Sequence, residues 1–192
     1  MFEGRFREGS GSGPRGALTQ SDVVSAFRGF WERQAYWTGS YIVNLIAGTA
    51  NTVYVKQRLV ENVMELSDLL RRYYEYEKAR EIERLFLDRY IVAHELLDNI
   101  LAGNEEAISR QAEQWRSYSD LIALRLSEMN PHWNITELRE ILDEQFTVIW
   151  DEMNYHMSEN AEQIPYDRLD NFARKAADYM ARGFINQFSI TL

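Results

Sequence analysis

The chain has 192 residues, 45% of them hydrophobic, enough for one domain to bury a continuous core without metals or crosslinks. Its 30 acidic side chains outnumber the 21 basic ones, giving a formal net charge of -9; such a field repels phosphate backbones and anionic lipid surfaces, which counts against nucleic acid and membrane as partners. Cysteine is absent, which excludes disulfides, thiol nucleophiles and thiolate metal sites together.

The chain opens on Gly4, Gly9, Gly11, Gly13 and Gly16 with Ser10, Ser12 and Pro14 between them. Ordering such a segment costs too much backbone entropy for it to fold alone, so residues 1 to about 18 read as a flexible tail and 19–192 as a helical bundle domain. Arg5, Arg7 and Arg15 against Glu3 and Glu8 give the tail only a weak positive bias. No secretory leader pattern precedes the domain, and the most apolar stretch, Tyr41 to Ala50, is broken by Asn44, Gly48 and Thr49. It falls short of the roughly 20 residues a membrane span needs, so the expected location is cytoplasmic.

After the tail, proline occurs only at Pro131 and Pro165, which leaves long stretches free to be helical. The first helix is predicted from Ser21 or Asp22, as N-cap, to about Ala47, with Gly48 as its stop. The second runs from about Asn51 to Tyr74, and the third from Lys78 to Ala102, closed by Gly103. Asn104 caps the fourth, whose first turn carries Glu105 and Glu106 where the helix dipole favours negative charge. That helix ends before Pro131, because proline disfavours helical geometry at Asn130. Asn134, with Glu137 three residues on, opens the fifth, and Pro165 suits the first turn of a sixth that ends near Phe188. Nothing alternates at strand period, and the connections are short. The fold class is therefore all-α, an up-and-down bundle of about six helices in a single domain.

Positions three and four apart on the first helix read Phe27, Phe30, Trp31, Gln34, Trp37, Thr38, Tyr41, Ile42 and Leu45, an apolar stripe with an amide in its middle. The third helix gives Ile82, Leu85, Phe86, Arg89, Val92, Ala93, Leu96, Leu97 and Ile100, with a guanidinium in the equivalent place. The fifth gives Leu138, Ile141, Leu142, Gln145, Val148, Ile149, Glu152 and Met153, again with an amide. Helices two, four and six carry more conventional stripes: Leu59, Val63, Leu66 and Leu70; Ile108, Trp115, Ile122 and Leu126; Leu169, Phe172, Ala176, Met180 and Phe184.

Buried polar groups must find partners or water. Gln34, Arg89 and Gln145 are thus expected to meet inside the bundle. Arg89 needs a carboxylate, with Glu152 the first choice and Asp88 or Glu144 as alternatives, and Trp37, Tyr41 and Tyr36 are expected to complete the lining. Two readings stay open for this spot. One is structural, a network that fixes helix register or side chains that snorkel out between helices; the other is a small site for an anionic or amide-bearing ligand, because arginine matches carboxylate and phosphate geometry.

Other chemistry has no signature. Di-iron bundles need Glu-x-x-His pairs on two helices, and none occurs; His94, His132 and His156 are dispersed, and His94 with Asp98 one turn on reads as a surface contact. There is no phosphate loop and no nucleophile elbow. No catalytic residue, metal ligand or cofactor is therefore assigned. Tyr73, Tyr74 and Tyr76 fall on different helical faces, so at least one is expected to be exposed, a modest hint of a partner-binding surface.

The segment Trp31-Glu-Arg-Gln-Ala-Tyr-Trp-Thr38 resembles the opening motif of a poorly characterised family of small all-helical proteins from Gram-positive bacteria. The resemblance continues through Ala102-Gly-Asn-Glu, the Trp115 region, Met129-Asn-Pro-His-Trp133 and Ala181-Arg-Gly-Phe-Ile-Asn-Gln-Phe188. It spans about residues 25 to 188 and implies a bacterial, helical protein with no established activity. It also implies histidine in relatives at the places occupied here by Gln34, Arg89 and Gln145, and at a fourth held by Phe172. Such a cluster suits metal or haem, but this chain lacks those side chains.

The leading expectation is a non-enzymatic cytoplasmic bundle that acts through a protein partner or through a small ligand held at the interior polar site. The alternative is a metal- or haem-related bundle, or a degenerate enzyme of that type. Whether the protein forms a homo-oligomer is left open.

Overall fold

The computed structural model describes residues 18–158 and 166–191. They form six helices and no strand: α1 (Gln20–Ile46), α2 (Asn51–Leu70), α3 (Tyr76–Ala102), α4 (Glu105–Met129), α5 (Ile135–Met157) and α6 (Tyr166–Phe188). The first four connections are two to five residues long, so consecutive helices fold back on one another. Each helix packs on the next, α6 closes on α1, and α1 also reaches α3 and α5. The N-terminal helix is thus the hub of the bundle, and its inward face looks toward α3 and α5.

Local chemistry accounts for the helix boundaries. Thr19, not Ser21 or Asp22, is the N-cap of α1: its hydroxyl accepts from the Asp22 amide at 3.2 Å while the Asp22 carboxylate accepts from the Thr19 amide at 2.9 Å. Asp22 is therefore the third helical residue of a reciprocal capping box, which satisfies two otherwise orphaned donors. Gly103 ends α3 in the left-handed region at φ 68°, a conformation that only glycine adopts without a Cβ penalty. Asn104 caps α4 through the Ala107 amide, and Asn134 caps α5 through the Thr136 and Glu137 amides. The sequence reading of α3 began two residues late, at Lys78 in place of Tyr76.

The predicted second helix ran on to Tyr74, whereas α2 stops at Leu70. Tertiary contacts override helical propensity there. The amides of Tyr73 and Tyr74 both turn back to the Leu70 carbonyl, and the two rings pack edge-on or tilted against Phe184 and Phe188 of α6. Tyr76 is the exposed one of the three tyrosines. The reading of a tail over residues 1–18 lies outside the described residues except at Leu18, and that of Pro165, in the 159–165 segment, lies outside them too. Leu18 itself packs partly buried against the core.

The core is continuous through all six helices and rich in aromatic edges: Phe27 on Phe184 and Trp133, Trp31 on Phe172, Phe30 on Phe86. Among the described residues no helix is long and apolar enough to cross a membrane.

Candidate functional site

Arg89 sits midway along α3 and is buried. Its guanidinium spans three elements. Nε donates to Ser119 Oγ on α4 at 3.1 Å, Nη1 to Gln145 Oε1 on α5 at 2.8 Å, and Nη2 to the Leu142 carbonyl at 3.1 Å. The Trp115 ring lies against it, 4.1 Å from guanidinium carbon to ring centroid, a cation–π contact that strengthens when water is excluded. Ser119 in turn donates to the Trp115 carbonyl one turn back.

All these partners are neutral. No carboxylate of the described residues forms an ion pair with Arg89; its contacts are those just given. Burial lowers the arginine to about 9, so at neutral pH it keeps its proton and its charge.

Glu152, expected to pair with Arg89, is buried but engaged elsewhere: its Oε1 meets His156 Nε2 at 3.1 Å. It lies two turns beyond Gln145, about 10 Å along the helix axis, and faces a groove between α1, α5 and α6 lined by Tyr36, Gly39, Val43 and Leu169. The alternatives do not reach Arg89 either, since Glu144 pairs with Lys175 at 2.5 Å. Trp37 is a second correction. Its ring packs outward against Tyr36 and Tyr54 with Arg58 above it, away from the Arg89 centre, because helical phase turns it toward α2. Tyr36 is largely exposed.

Gln34, Arg89, Gln145 and Tyr41 do line one cavity, together with Trp31, Thr38, Tyr90, His94 and Trp115 and an apolar remainder. About 30 Å³ of it is open to the centre of a water-sized sphere, room for roughly two waters or one small polyatomic group. Gln34 reaches it from α1. Its Oε1 accepts from Asn62 Nδ2 at 3.3 Å, and Asn62 also donates to the Phe30 carbonyl and accepts from Arg33.

Four of the lining residues carry a buried polar atom with no hydrogen-bond partner: Trp31 Nε1, Trp115 Nε1, Tyr90 Oη and His94 Nε2. Buried polar groups are nearly always paired, so four unpartnered atoms on residues that line one cavity set this region apart; two others, Arg58 Nε and Arg71 Nε, lie away from it. Burial pushes the Tyr90 phenol far above its usual range; the Gln34 amide pulls the other way without forming a hydrogen bond of ordinary geometry. His94 is lowered to about 4 by burial and then by Lys56, so it is neutral at pH 7.

His94 had read as a surface contact to Asp98. The structure turns its ring inward against Tyr41 and Tyr90, at centroid distances of 4.6 and 5.6 Å, while Asp98 accepts from the Tyr41 hydroxyl at 3.4 Å. Ser119 and Asn62 were also missed, although a signal existed. Each interrupts an apolar stripe, Ser119 between Trp115 and Ile122 and Asn62 beside Val63. Among the described residues no three His, Asp or Glu side chains gather so as to hold a metal ion.

Comparison of the chain with models of known protein families, with curated proteins and with solved structures gives no match. The geometry of this cavity therefore carries the functional argument alone.

Proposed function

We propose that the protein is a non-enzymatic small-ligand binder whose ligand sits in the interior cavity lined by α1 to α5. The four unpartnered polar atoms around one void carry this reading. A network serving only to fix helix register would close on itself, because each unpaired buried donor costs stability and returns none. The aromatic walls supply shape, and the few convergent polar groups supply orientation, as in small-molecule sites generally.

The indole Nε1 protons of Trp31 and Trp115 give the test its readout. A panel of small polar molecules, neutral and charged, is titrated while the two indole signals are followed by NMR. At least one class should shift both signals in a saturable way, and Ala93→Leu, which fills space in the cavity wall, should suppress the response. Indole signals indifferent to the whole panel would remove this reading.

A protein partner is the second reading, supported by the outer face of α2, where Val53, Tyr54, Val60 and Met64 are exposed. Light scattering after size exclusion checks whether a second copy covers that face.

A further inference from the structure

We infer that the ligand of the cavity is a compact monoanion, of the class to which formate, bicarbonate and chloride belong; this rests on the reading of the cavity as a ligand site and narrows it. Charge comes first. A guanidinium taken out of water needs a counter-charge, and hydrogen bonds to a serine, an amide and a carbonyl supply none. The carboxylate expected on the same helical face, Glu152, is committed to His156. Asp143 acts on the guanidinium only through space, with no ion pair formed, and water entering the cavity answers hydrogen-bonding needs without adding a contact counter-charge.

The hydrogen-bond inventory points the same way. Both orphaned indoles can only donate, and the Tyr90 hydroxyl and a neutral His94 can each donate as well. The two amide oxygens nearby each already accept one bond, Gln145 Oε1 from Arg89 and Gln34 Oε1 from Asn62, which leaves the hydroxyls of Tyr90 and Thr38 and one nitrogen of His94 as further acceptors. Arginine carries five N–H groups, and its contacts here name one acceptor for each nitrogen. A cationic guanidinium with N–H groups to spare and two indoles that only donate give the wall the complement of an anion.

Size and net charge set the limits of the class. A space of about 30 Å³ for water-sized centres suits an ion of about one to four heavy atoms. One interior arginine balances one negative charge, so a dianion such as phosphate at alkaline pH would remain half compensated. The chain as a whole carries -9, which repels anions at long range, so affinity must arise inside the cavity.

The experiment uses the full chain exchanged into a buffer whose only anions are bulky sulfonates. Formate, chloride and bicarbonate are titrated in separate arms at constant ionic strength, with formamide as the neutral isostere of formate and benzoate as an oversized anion. Tryptophan fluorescence and thermal midpoint are read together, because an ion bound only by the folded state raises the midpoint with its concentration. Saturable binding is expected for at least one compact monoanion, at least tenfold tighter than any response to formamide or benzoate.

Gln145→Glu supplies a carboxylate where an amide oxygen now stands 2.8 Å from Arg89. It should weaken anion binding at least tenfold while raising the midpoint in anion-free buffer. Arg89→Leu, with helicity checked by circular dichroism, should also lose the response. Equal binding of formate and formamide would overturn the anion and leave the ligand site standing. No response to any compact anion, with the indole signals equally silent to neutral molecules, would make the cavity a water pocket and overturn both.

Discussion

Two regions of the interior use similar residues to opposite effect. At the end of the bundle where the α4–α5 turn meets α6, the Trp133 indole donates to the Met180 carbonyl at 3.1 Å. Asn130 there donates to the Tyr74 hydroxyl, Tyr74 to Gln187 Oε1, and Gln187 back to the Met129 carbonyl. Asn130 Oδ1 accepts from the His132 amide. The circuit closes. Around Arg89, also lined by aromatic and polar groups, two indole N–H groups, a phenol oxygen and one imidazole nitrogen have no hydrogen-bond partner. Single unpaired donors occur elsewhere, at Arg58 Nε and Arg71 Nε, but only around Arg89 do four such atoms belong to residues of one cavity, and that concentration separates the two regions.

The largest effect is expected at the closed end. A Cβ built on Gly183 would stand 2.3 Å from Trp133 Cδ1 and Nε1 and 3.3 Å from the His132 carbonyl, so the indole must move. It has nowhere to go, being 1% exposed and held by Phe27 and Tyr74. Gly183→Ala should therefore cost about 3 kcal/mol in chemical denaturation, the overpacking and the lost indole bond outweighing the roughly 1 kcal/mol that alanine returns to the helix. A neutral result would show that this corner is as yielding as the cavity and erase the contrast.

The second effect belongs to the open region and depends on pH. His94 titrates near 4 in the folded chain, against 6.5 when free, because burial and then Lys56 oppose its charge. Its surroundings are the Tyr41 and Tyr90 rings, with Lys56 over the outer side of Tyr41 and Asp98 at the Tyr41 hydroxyl. Between those two pH values the unfolded state binds more protons than the folded one. The contribution to stability is thus intact above pH 6.5 and lost progressively as pH falls toward 4. About 2 kcal/mol should disappear between pH 7.5 and 5, and His94→Leu should remove that part of the slope. A wild-type slope preserved in the variant would place the titrating group elsewhere.

How much of this was readable in advance follows from what each residue's neighbours are. Helix number and most boundaries were legible because they depend on local signals: Gly103, Asn104, Pro131 and Asn134 act on their own turn. The inward facing of Gln34, Arg89 and Gln145 was legible too, since periodicity fixes helical face. The pairing of Arg89 with Glu152 was not. Sharing a helical face says nothing of distance, and two turns of α5 separate Glu152 from the guanidinium's actual partner. His94 was misplaced for a related reason: its spacing to Asp98 is local, while the packing of α1 that sets Tyr41 against its ring is not. Tyr74 left its predicted helix through contacts to residues more than 50 positions away.

The smallest effect discriminates most finely between a closed and an open interior. Ser119 Oγ is the acceptor for Arg89 Nε and a donor to the Trp115 carbonyl, and it is buried at 2% exposure. Ser119→Ala deletes both bonds. In a closed interior the abandoned guanidinium N–H would bear the full cost of a buried unpaired charged donor, about 3 kcal/mol, because nothing could approach it. Arg89 itself lines the cavity, so water or an ion entering from there can take up the space and the bond that the hydroxyl leaves, and alanine itself favours the helix by a few tenths of a kcal/mol. The expected loss is therefore only about 1 kcal/mol in anion-free buffer, and less once formate or chloride is added. A loss of 3 kcal/mol that no anion relieves would place Arg89 in the same category as Trp133, a member of a closed circuit, and the distinction between the two regions would fail at the residue on which it most depends.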